Sequence, residues 1–146
     1  MKFALPLDKN GLFYRFNPCG ADTFSIYTVH KEKEMLTYAL LNSVANPWHD
    51  IEGAICSHLV ENGGCDADLK NNIEHILDHY AMLEVLSRCN YLLGDNFCDN
   101  TRKALRNAGI KAYNIPPFLT EIEKIITHFL IGVNVADSSG NIHYAS

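Results

Sequence analysis

The chain has 146 residues, 47% of them apolar, which suits one domain around one buried core and excludes a multi-domain machine. No apolar run approaches the roughly 18 residues a membrane helix needs, and the opening MKFALPLDKN turns polar too early for a signal peptide, so a cytoplasmic protein without membrane contact is expected. Twelve Lys and Arg against seventeen Asp and Glu leave a net charge of −5; the basic clusters His30, Lys31, Lys33 and Lys103, Arg106, Lys111 are interleaved with acids or spread along a helix, so nucleic acid is not an expected partner.

Residues Lys2 to Leu7 read as a short, central, buried strand, stopped by Pro6 and the turn chemistry of Asp8, Asn10 and Gly11. Leu12 to Asp22 has no periodicity, broken by Asn17, Pro18 and Gly20, and reads as a loop that carries Cys19. Thr23 to Val29 and Met35 to Leu41 have strand composition around the charged turn HKEK, which predicts a hairpin. Asn46, Pro47 and Asp50 end it, leaving Trp48 and His49 at least half exposed. Trp48 is better read as a core anchor than as a lid.

Ile51, Ile55 and Leu59 predict two turns of helix before Asn62, Gly63 and Gly64. A longer helix follows over 66–88, with Asp66 as N-cap and an apolar stripe that includes Leu69, Ile73, Leu77, Tyr80, Leu83 and Leu86. Tyr91 to Gly94 reads as a buried parallel strand and Asp95 to Asp99 as a turn. Thr101 to Ala108 reads as a helix closed by Gly109 at C′, and Ile110 to Ile115 as the next strand, which completes a βαβ unit. After Pro116 and Pro117, Thr120 and Glu123 form a partial capping box for a terminal amphipathic helix. The polar segment 132–146, with a turn at Asp137 to Gly140, reads either as disordered or as a short edge strand. The expected architecture is a mixed sheet covered by helices.

The opening MKFALPLD, the loop FNPCGADTFSIY, the break NPWHDIEGA and the run LLGDNFCDNTRKALRNAGIKAY, in this order and followed by a terminal helix, together resemble one family. It is the dinitrogenase iron–molybdenum cofactor biosynthesis family, that of the NifX and NafY proteins and the C-terminal domain of NifB. The resemblance covers about residues 1–131 as one domain, with an apparent insertion at about 51–65. It implies an α/β ribonuclease H-like fold, a five-stranded mixed sheet flanked by helices. It also implies non-catalytic binding or transfer of an iron–sulfur or iron–molybdenum–sulfur cluster, donor or acceptor proteins as partners, and nitrogen fixation as the setting. The chain departs from that pattern where Pro18, Cys19 and Gly20 replace a Pro-His-Phe-Gly-like loop, and where Asp95, Asn96, Phe97 and Cys98 replace a Gly-rich turn.

Five separated cysteines without a C-x-x-C pair cannot complete a disulfide framework, and thiolates are the ligands that soft metals and iron–sulfur clusters select. If strands 1, 3 and 4 run parallel and strand 2 against them, the loops carrying Cys19, His49 and Cys98 meet at one edge, the usual ligand edge of an open α/β sheet. If the helix over 66–88 is the first crossover helix of the family the chain resembles, Cys56, His58 and Cys65 face the same crevice. Cys89 falls on the opposite edge. Cys98, at a helix start where the dipole favours a thiolate, is the first candidate ligand, and Cys19, in a flexible Pro-Gly loop, the second. Cys56, Cys65, His49 and His58 rank behind them.

Against this stands the reading of each cysteine as a small buried hydrophobe, which gives a protein-interaction scaffold with structural cysteines; zinc at the same thiols is a third reading. His75 and His79, four apart on a helix, lack a third ligand and read as packed or solvated. Enzyme readings find little support. A ribonuclease H-like nuclease needs carboxylates around two metals, one of them inside the first strand, and FALPL has none. No phosphate-cradling glycine loop or G-x-S-x-G element is present, and a Cys98–His49 nucleophile pair has no motif behind it.

Overall fold

The computed structural model describes residues 1–47, 80–86 and 88–145. Trp48, His49, the short helix expected from Ile51, the insertion at 51–65 with Cys56, His58 and Cys65, and the pair His75 and His79 lie outside the described residues.

Five strands form one sheet: β1 (Lys2–Leu7), β2 (Thr23–Glu32), β3 (Met35–Ala45), β4 (Tyr91–Gly94) and β5 (Lys111–Asn114). Their order is β3-β2-β1-β4-β5. β2 is antiparallel to both β1 and β3, whereas β4 runs parallel to β1 and to β5. The α/β class and the five-stranded mixed sheet are therefore as expected. Helix α1 (Asp99–Asn107) links β4 to β5, and helix α2 (Ile122–Ala145) follows β5.

β1 is central because its apolar run serves two cores at once. Alternation sends Phe3 and Leu5 to one face and Ala4 to the other, and all three are fully buried. On the first face, Phe3 and Leu5 join Leu93 and the α2 residues Ile125, Ile126 and Phe129. Phe129 is ringed by Phe3, Tyr91 and Tyr113 at centroid separations of 4.8, 5.2 and 5.0 Å. Helix and sheet approach closely there, since a Cβ at Gly132 would collide with the Tyr113 hydroxyl. On the second face, Ala4, Phe24, Ile26 and Leu92 pack against Leu105 of α1 and against Met82 and Leu86.

Pro6 does not stop β1 but lies inside it, opposite Phe24. The parallel pairing with β4 involves only Phe3 and Ala4, so no ladder bond on that side is asked of the proline nitrogen. The hairpin runs longer than its composition suggests, with His30 to Glu32 continuing β2 and Lys33 turning at φ 56°. Within the helix expected over 66–88, Tyr80 and Ala81 are helical and Met82–Glu84 tightens into a 3-10 turn. Met82, off the expected stripe, is sealed, whereas Tyr80 on it is 37% exposed.

Helix α1 starts at Asp99, two residues before the expected Thr101. It ends as expected on Gly109 at φ 75°, with Ile110 N–H donating back to Leu105 O at 2.9 Å. Helix α2 opens at Ile122, one position later than a helix capped by Thr120 would, with the Glu121 carbonyl accepting from Ile125 N–H. It continues to Ala145 through the segment 132–146 expected as a polar tail, including the turn expected at Asp137 to Gly140. Among the described residues no helix is long and apolar enough to cross a membrane.

Candidate functional site

With β2 alone reversed, the C-terminal ends of β1, β3, β4 and β5 share one end of the sheet. Arg15 ties the loops there together. Its Nε lies 3.2 Å from Asp95 Oδ2 beyond β4, while Nη1 donates to Leu119 O at 2.5 Å and Nη2 to Pro116 O at 3.2 Å and Pro117 O at 2.9 Å beyond β5. The ion pair is about a quarter exposed on each side and worth at most about 1 kcal/mol. The planar fork contributes by holding three chain segments in one geometry.

Inside this clamp lies a buried polar cluster of Asn17, Cys19, Cys98 and Thr101. Cys98 is the N-cap of α1, and its Sγ accepts from Thr101 N–H at 3.4 Å and from Asn17 Nδ2 at 3.2 Å. The Asn17 Oδ1 accepts from Thr101 Oγ1 at 3.0 Å and from Cys98 N–H at 3.4 Å. The Thr101 oxygen lies 2.8 Å from Cys19 Sγ and 3.1 Å from Cys98 Sγ. The two sulfurs therefore meet at one hydroxyl, as the chain topology predicts. A threonine hydroxyl has one proton and two lone pairs. Its proton goes to Asn17 Oδ1, and both sulfurs lie within hydrogen-bond distance of the oxygen.

The two thiols are nevertheless unequal. Cys98 is half-buried at a helix N-terminus, with N–H groups aimed at its sulfur from two sides, which is the surrounding an anionic sulfur needs. Cys19 is completely buried in a 3-10 turn, Pro18–Gly20, whose carbonyls at Cys19 and Ala21 accept from Asn46 Nδ2 at 2.7 and 2.8 Å. This corrects the expectation of a flexible Pro-Gly loop. Proline supplies the first turn and Asn46, at the end of β3, locks it. Pro18 also presses on the next loop: a Cβ on Gly94 would come within 2.9 Å of Pro18 Cγ and 2.7 Å of Phe97 Cζ.

Of the expected ligands, then, Cys19 and Cys98 are brought together, and His49, Cys56, His58 and Cys65 lie outside the described residues. Cys89 sits at the other end of the sheet, packed among Leu86, Leu92 and their neighbours. Burial pushes its thiol pKa up, partly offset by the Lys2 charge. Among the described residues no three His, Cys, Asp or Glu side chains gather as a metal site. Asn100 in the first turn of α1 is buried with its Nδ2 unpartnered among the described residues.

Arg15, Asn17, Asn46 and Thr101 were not singled out from the sequence. A signal did exist for the two asparagines, since both precede proline (Asn17-Pro18 and Asn46-Pro47), a turn-forming pair in which the amide can bond the local backbone. The Cys98-x-x-Thr101 spacing is that of an N-cap and its N3 residue, hidden by starting the helix at Thr101. Comparison of the chain with family models, with curated proteins and with solved structures gives no match.

Proposed function

We propose that this end of the sheet binds a thiophilic metal centre as cargo, an iron–sulfur or iron–molybdenum–sulfur cluster, with Cys98 as the leading ligand and Cys19 beside it. In this reading the protein is a cytoplasmic carrier that exchanges the cluster with a donor or acceptor protein and catalyses no reaction of its own. The observation behind it is the meeting of the two sulfurs at the Thr101 hydroxyl, with two N–H donors already directed at Cys98. The strand order β3-β2-β1-β4-β5 with β2 reversed supports a ribonuclease H-like assignment, the fold that the sequence resemblance implies.

The donor chemistry fits a soft metal, though the described residues contribute two sulfurs where a cluster commonly takes four ligands. His49, Cys56, His58 and Cys65 remain the proposed source of the others. The test is anoxic expression with iron and sulfide, followed by metal and sulfide analysis. Stoichiometric iron and charge-transfer absorption are expected, both lost in a Cys19→Ser, Cys98→Ser double variant. Colourless, iron-free protein under those conditions overturns the proposal.

A second reading has its own observation. Cys19 is fully buried and hydrogen-bonded to Thr101, as a structural thiol would be. On this reading the protein is an interaction scaffold, and the double variant changes neither metal content nor partner binding. Stoichiometric zinc without colour marks the zinc form of the same site.

A further inference from the structure

An edge strand presents a row of outward N–H and C=O groups, and proteins ordinarily guard such rows with charge, proline, bulges or brevity. The two edges of this sheet differ sharply in that respect. β5 is four residues long, opens with Lys111, is followed by Pro116 and Pro117, and has Arg102 of α1 reaching to its Asn114. β3 is eleven residues long and contains no charged residue, proline or glycine. Its outer side has no strand partner among the described residues.

A single bulge interrupts β3. Ile26 pairs with Asn42 and Tyr27 with Leu40, which leaves Leu41 out of register. The regular stretch is thus Met35–Leu40, and it exposes large apolar side chains: Met35 at 68%, Tyr38 at 40% and Leu40 at 57%. An uncharged six-residue stretch of this composition is well suited to strand addition.

We propose that Met35–Leu40 pairs antiparallel with the same stretch of a second copy of this chain, joining two sheets into one of ten strands. Charge selects the occupant. A strand paired with itself about a two-fold axis sets its own residues opposite one another, and in a chain of net charge −5 this edge is one where no like charges then meet. The mixed-sign turn Lys31 to Glu34 falls at opposite ends of such a seam in the two copies. The contact also closes on itself, because pairing β3 with β3 leaves only the short, guarded β5 at each outer edge.

Six paired residues make a seam only about 20 Å long, and a stable contact buries roughly 800 Å² per partner, so the seam needs apolar surface beside it. A groove of about 360 Å³ lies beside the seam between β3 and α2, lined by Met35, Leu36, Tyr38, Leu130 and Ile131, and supplies further apolar surface for the partner's side chains.

The test uses the full chain. Sedimentation velocity across a wide concentration range should show a species of twice the single-chain mass. The exposed substitutions Thr37→Lys and Leu40→Lys, made together, should return it to one chain with an unchanged circular dichroism spectrum. Hydrogen exchange of the wild-type protein needs no variant: the amides of Met35–Leu40 should gain protection as concentration rises. A protein monomeric at every concentration overturns the proposal, as does a dimer whose β3 exchange does not change. Protection of β3 that is independent of concentration means the edge is covered within one chain, and that too overturns it.

Discussion

At the C-terminal end of the parallel strands, Cys98 accepts from Asn17 and Thr101 and Cys19 meets the same threonine oxygen. At the N-terminal end, Cys89 lies among aliphatic side chains. Both ends also carry an asparagine that receives a backbone N–H. Asn17 is completely buried and makes three side-chain hydrogen bonds, to Cys98 and Thr101, whereas Asn90 accepts from Lys2 N–H at 2.8 Å in an exposed setting. The same residue types are thus used for a satisfied polar network at one end and for ordinary packing and edge-closing at the other. The difference comes from what the chain supplies nearby among the described residues: at the first end a helix N-terminus and two Asn-Pro turns, at the second strand starts, the end of α1 and a 3-10 turn.

The strongest way to break this contrast is Asn17→Ala. It removes the amide oxygen that accepts from the Thr101 hydroxyl and the Cys98 N–H in a buried site and should lower unfolding free energy by about 3 kcal/mol in urea titrations followed by circular dichroism. A loss no larger than that of Asn90→Ala would mean that the network has no special weight. Gly94→Ala comes next. Its new methyl meets Pro18 and Phe97, so the loops carrying Cys19 and Cys98 must separate at a cost of about 2 kcal/mol; the same titration reads it, and an unchanged midpoint would show that those loops yield freely.

Asn90→Ala, at the opposite end, should cost only about 1 kcal/mol, because water can replace the lost acceptor. The smallest effect is one of pH. The Cys89 pKa is raised above 9.0 in the folded protein by burial, so the folded state holds its proton longer than the unfolded chain does. Its contribution to stability is fully present below the unfolded value and is lost as pH rises through the folded one. Stability measured from pH 9 upward should therefore fall less steeply in Cys89→Ala than in the wild type. Tyr27 and Tyr113, also raised by burial, add to the alkaline loss in both proteins. Equal slopes would show that the Cys89 thiol titrates as though exposed.

Much of the sheet was legible from local pattern. The apolar run Lys2 to Leu7 marked a central, buried strand, the short apolar run at Tyr91 marked a parallel strand, and Gly109 marked the end of α1. Boundaries were less so. Pro6 inside β1 and Met82 in a 3-10 turn each follow from which neighbour happens to lie alongside. The extension of α2 through Asp137 to Gly140 ran against turn propensity. Of the site, the meeting of Cys19 and Cys98 followed from strand directions, while the roles of Arg15, Asn17, Asn46 and Thr101 did not, because each bonds to groups some 25 to 104 positions away.

By itself, the amino-acid order determined the five strands and the helix between β4 and β5, because periodicity and turn chemistry are local, and it determined that two thiols end strand-following loops on one side. Only the tertiary structure decided that Cys19 is sealed while Cys98 is half open, and that one sheet edge is guarded while the other has no strand partner among the described residues. Burial and strand pairing depend on distant parts of the chain, and no spacing along the sequence encodes them.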